Sequence, residues 1–165
     1  MVTRNKVLAS LGVVLLAWGI WYAFPTRERQ VRRQFKALAS WAGKDGAEGA
    51  LASVQTAREA GRFFADPCEW NAEAYNLSGR VSLEEITRYV FAARTRVDKL
   101  AVEFYDLRVE FPADGTAHAT ATVRVQGTSK DGDAINETHE LKCDLIKRDG
   151  RWLLSRITLV QVLKR

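Results

Sequence analysis

Two histidines, two cysteines and a scatter of carboxylates are the side chains of this chain that could do chemistry. In the stretch "THELKCDLI", strict alternation puts His139 on one strand face with Leu141, Cys143 and Leu145. An imidazole at the mouth of an apolar pocket would act as a general base near neutral pH. The plainer expectation is a partly exposed histidine at a strand end. His118 falls on the polar face of its own strand and is expected in solvent. His139 and Cys143 are two pleats apart, about 13 Å, too far for a thiol–imidazole pair. Cys68 and Cys143 are too few for a disulfide framework. One bridge would need an oxidising compartment, and two free thiols, at least one of them buried, are the simpler expectation. No Cys/His cluster has the spacing of metal ligands, and nothing implies a cofactor. Asp106 follows Tyr105 and reads either as a catalytic carboxylate or as one that caps a bulge.

Before these residues comes an apolar run. Val7–Phe24 carries no charge over 18 residues, and a helix of that length spans about 27 Å, enough for a bilayer core. Trp18, Trp21 and Tyr22 sit near its end, where amphipathic rings favour the headgroup level. A retained single-pass anchor over residues 1–25 is expected. The run's close in Tyr22-Ala23-Phe24-Pro25 suits a cleaved signal peptide poorly. Arg27, Arg29, Arg32, Arg33 and Lys36 follow, offset by Glu28, and such a segment would attract anionic lipid at about 1 kcal/mol per basic residue. Basic residues favour the cytoplasmic side, yet the short basic N-terminus is itself that of a signal anchor, so charge alone does not orient the chain. The net charge of +5 is modest and its basic excess is confined to this segment, which argues against a nucleic-acid surface.

The domain, residues 26–165, begins as helices. Periodicity predicts a first helix from Thr26 to Trp41, with Val31, Phe35, Leu38 and Ala42 on one face. A second is predicted from Glu48 to Phe64, with Leu51, Val54, Arg58 and Gly61 in register and Ala65–Pro67 ending it. Residues 68–80 have room for one or two short strands. A third helix follows Ser82, whose capping box closes on Glu85; Ile86, Tyr89, Val90, Ala93 and Val97 form its expected apolar face. The period then changes to two. Val102 and Phe104 alternate, and Leu107, Val109 and Phe111 alternate one position out of phase, which predicts a bulge at Tyr105–Asp106. Three further strands end near Leu163, separated by "SKDGD" and "KRDG". The expected fold is α+β, with about three helices on a bent antiparallel sheet of four long strands.

The step "RVDKLAVEFYDLRVEF", the small-residue strand "GTAHATATVRV" and the hairpin "KRDGRWLLSRI" in this order resemble the nuclear transport factor 2-like, or SnoaL-like, superfamily of cystatin-like α+β cones. The resemblance covers about Val31 to Val162. It implies a sheet wrapped around the helices and a conical pocket, which Phe63, Phe64, Trp70, Tyr75, Tyr89, Tyr105, Asp106 and His139 would border, with Glu69 and Glu73 near its open end. It also implies possible pairing of two copies through the outer sheet face. Members range from isomerases, dehydratases and cyclases to binding domains and membrane-anchored scaffold subunits of bacteria. The expectation is a non-catalytic binding or assembly module at a bacterial inner membrane, its domain facing the periplasm, with membrane-protein partners. The rival expectation is a small enzyme acting on a hydrophobic substrate in the cone.

Overall fold

The structure, a computed structural model, describes residues 26–46, 48–72 and 77–160. The chain divides into two units at Gln30. Of the first, only Thr26–Gln30, the opening of α1, is described, so the predicted anchor Val7–Phe24 lies outside the described residues. Among the described residues no helix is long and apolar enough to cross a membrane.

Helix α1 (Arg27–Ala42) starts where the Thr26 side chain and carbonyl accept the Arg29 and Gln30 amides. It buries Val31, Phe35 and Leu38, the predicted face. Helix α2 (Ala50–Arg58) is shorter than expected and tightens into a single 3-10 turn, Glu59–Arg62. Its buried side is Ser53, Ala57 and Ala60, small residues that allow close approach, while Leu51 is left 73% exposed. Strand β1 (Phe64–Ala72) has already begun at Phe64, so Ala65–Pro67 lies inside it. The cis Asp66–Pro67 peptide sits where β1 makes no regular rungs, which is how a strand accommodates a proline that cannot donate. Strand β2 (Leu77–Val81) pairs back on β1. Helix α3 (Leu83–Arg96) opens with the expected capping box, the Ser82 hydroxyl accepting from the Glu85 amide and the Glu85 carboxylate from the Ser82 amide.

Strands β3 (Val97–Glu110), β4 (Thr116–Ser129), β5 (Ala134–Arg148) and β6 (Arg151–Val160) form the predicted antiparallel meander. The sheet has six strands, not four, in the order β2-β1-β6-β5-β4-β3. β1 lies parallel to β6, the last strand of the meander. Alternation can identify a strand but not a partner some 85 residues away. The phase slip is real: Asp106 and Leu107 together oppose one residue of β4, and Asp106 takes φ 53°. Asp149 and Gly150, both at positive φ, make the two-residue β5–β6 turn that Asp-Gly favours. Gly127 is dictated by contact: a Cβ there would lie 2.1 Å from the Lys99 carbonyl oxygen of β3.

The inner sheet face presents Ala117, Ala119, Ala121 and Val123 of β4 and Leu141, Cys143 and Leu145 of β5 to Val31, Phe35, Phe64 and Ile86. The expected face of α3 needs correction. Tyr89 and Ala93 are exposed; Ile86 and, unexpectedly, Arg94 are buried. Arg94 is 5% exposed. Its guanidinium grips Glu48 through two 3.0 Å bonds and donates from Nη1 to the carbonyls of Trp41, Ala42 and Gly43, the open end of α1. Lys44 returns the contact. Its buried ammonium donates to the carbonyls of Arg94 and Val97 at 2.9 and 2.7 Å, the open end of α3. Each helix thus ends on a cation from the neighbourhood of the other, where unpaired carbonyls and the helix dipole favour positive charge.

Candidate functional site

The sequence-selected residues fall into three places. The first is an aromatic row. Trp41 stacks near Phe63 and Phe64 (centroids 5.1 and 6.0 Å), Phe64 meets Trp70 at 6.4 Å, and Trp70 meets Tyr89 at 6.1 Å. Phe63 and Phe64 are buried, Trp70 is half-buried and Tyr89 is 46% exposed. Tyr75 lies outside the described residues. Trp41, not among the sequence candidates, joins the row because its indole N–H is held by the Thr56 carbonyl at 2.7 Å. Pairs of this geometry contribute about 1 kcal/mol each beyond the area they bury, so the row reads first as packing.

The second place is the bulge. Tyr105 stands on the outer sheet face, its hydroxyl donating to Glu103 and its ring 5.0 Å from the Arg124 guanidinium. The bonded Glu103 carboxylate pushes the phenol above its ordinary value. Asp106 is exposed beside it. The third place is His139, on the inner face opposite Val123 of β4, its Nε2 3.1 Å from Glu137. Val123 in turn opposes Phe104, so His139 stands two strands from β3, and Tyr105 points to the other side of the sheet. Tyr105, Asp106 and His139 form no constellation.

The thiols are free and buried. Burial pushes Cys68 up to about 11, against a smaller opposing pull from the Trp70 indole, and it pushes Cys143 up further. β6 separates their strands, so their Cα atoms are about 10 Å apart, beyond the reach of a disulfide. On the outer face, Arg156 of β6 bonds both Glu69 of β1 and Asp144 of β5 at 2.9 Å, and Asp144 bonds His118 of β4 at 2.7 Å. His118 therefore belongs to a ladder of hydrogen-bonded polar side chains across four strands, and Glu110 of β3 is its register partner. The ladder's Glu69 end depends on the parallel pairing of β1 with β6, which alternation along the sequence does not reveal. Among the described residues no group of His, Cys, Asp and Glu could hold a metal.

Arg27, Arg29, Arg32, Arg33 and Lys36 are all exposed on α1. Among the described residues, the surface depressions of the second unit include three beside the helices. One, of about 470 Å³, lies over the Glu48–Arg94 pair beside Trp41 and Thr56. Another, of about 570 Å³, separates α1 from β3 around the bulge. The third, of about 160 Å³, is an apolar dimple between α2 and α3 formed by Val54, Ala57 and Phe91.

No known family pattern and no curated protein matches the sequence. Solved structures do match the fold. A protein described as a scytalone dehydratase from Novosphingobium aromaticivorans superposes with TM-score 0.68 at 14% identity, covering 82% of this chain and 84% of that one. One described as a calcium/calmodulin dependent protein kinase II association domain from Xanthomonas campestris gives 0.63 at 18% identity, covering 85% and 91%. An uncharacterised protein with a cystatin-like fold from Caulobacter vibrioides gives 0.57 at 14%, covering 80% and 88%. The chain superposes on these proteins over about four-fifths of its length, and its three helices and six-stranded sheet take the cystatin-like, nuclear transport factor 2-like fold.

Proposed function

We propose that the chain is a single-pass protein of the bacterial inner membrane whose cone domain is a non-catalytic binding or assembly module at the membrane surface. The observation that carries this reading is the filled inner face. Val31, Phe35, Phe63, Phe64, Ile86 and Leu145 pack there as one apolar cluster, and the candidate acid–base groups do not converge on it. The charge-free run Val7–Phe24 supplies the anchor, and Arg27, Arg29, Arg32, Arg33 and Lys36 meet anionic headgroups. The domain faces the periplasm. Its polar outer sheet face, rich in threonine along β4, is the surface through which two copies pair or a membrane protein docks.

The test isolates the full chain in mild detergent and weighs it by native mass spectrometry. A protein partner or a second copy, with no small molecule, is the expected result. A stoichiometric small hydrophobic compound in the cone would overturn it in favour of an enzyme of the isomerase, dehydratase or cyclase type. One observation favours that second reading. The buried indole N–H of Trp152 makes no hydrogen bond among the described residues, and a ligand oxygen would satisfy it. Alkaline phosphatase fused after Arg165 tests the side: activity is expected, and its absence beside a fluorescent green fluorescent protein fusion would put the domain in the cytoplasm.

A further inference from the structure

We draw no further inference here: the strongest candidate, the apolar dimple between α2 and α3 formed by Val54, Ala57 and Phe91, is flanked by Arg58 and by an Arg88 that already acts on the Glu85 carboxylate, and nothing in the structure shows what covers it.

Discussion

Arg94 carries more of the structure than any of the residues chosen for chemistry. One planar cation serves Glu48 and three carbonyls at once, a pattern a lysine cannot reproduce. Arg94→Lys should lower unfolding free energy by about 2 kcal/mol in chemical denaturation, because a buried partner set is left incompletely bonded. The bond from Arg94 is also the main reason the Glu48 carboxyl titrates below its ordinary value. A depressed folded-state pKa contributes stability that is present above the unfolded value and lost as pH falls through the folded one. Wild type should therefore exceed Glu48→Gln in stability at neutral pH, and the difference should shrink below about pH 4. A gap that stays constant into acid would show that the carboxylate charge is not what Arg94 holds. For Cys68 and Cys143, burial argues for inertness: alkylation at pH 8 should be slow in the native chain and complete after denaturation, and mild oxidants should form no internal bridge. Sequence did not reveal that Arg94 is buried or what it pairs with, since an arginine in the last turn of a helix reads as solvated until the carbonyls it caps are known.

At the scale of elements, local signals were legible and distant ones were not. The Ser82 capping box, the Asp149-Gly150 turn and the phase slip at Asp106 each depend on residues within a few positions, and each is where spacing puts it. The length of α2, the exposure of Leu51 and the start of β1 depend on what packs against them. Gly61, whose Cβ would meet the Leu83 side chain at 3.0 Å, shows α2's continuation pressed against α3 by a contact that helical spacing cannot foresee. The pocket candidates share this fate: four of the aromatics gather, but Tyr105 and His139 end on opposite faces of a sheet whose register they do not encode. Gly127 offers the cleanest element-level prediction. Gly127→Ala drives a methyl into the Lys99 carbonyl and should cost about 3 kcal/mol, read as a lowered denaturation midpoint, as overpacking against backbone does. Gly115→Ala, strained by its φ of +73° but open around its Cβ, should cost only about 1 kcal/mol.

Across the whole domain, the reciprocal cations at the helix ends have a consequence for motion. Fraying of a helix end is ordinarily a private event of its last turn. Here the last turn of α1 cannot release its carbonyls without freeing the side chain of Arg94, and the end of α3 cannot loosen without freeing Lys44, which is also the rung that pins the chain to Leu100 on β3. Native-state exchange should report one shared opening energy for the amides of Gly43, Lys44 and Leu100, and Arg94→Lys should lower it at all three together. Independent opening energies would mean that the contacts are merely adjacent. A shared one makes the Lys44–Leu100 rung a mechanical relay: a disturbance of β3's edge at Leu100 would be felt at the C-terminal end of α3.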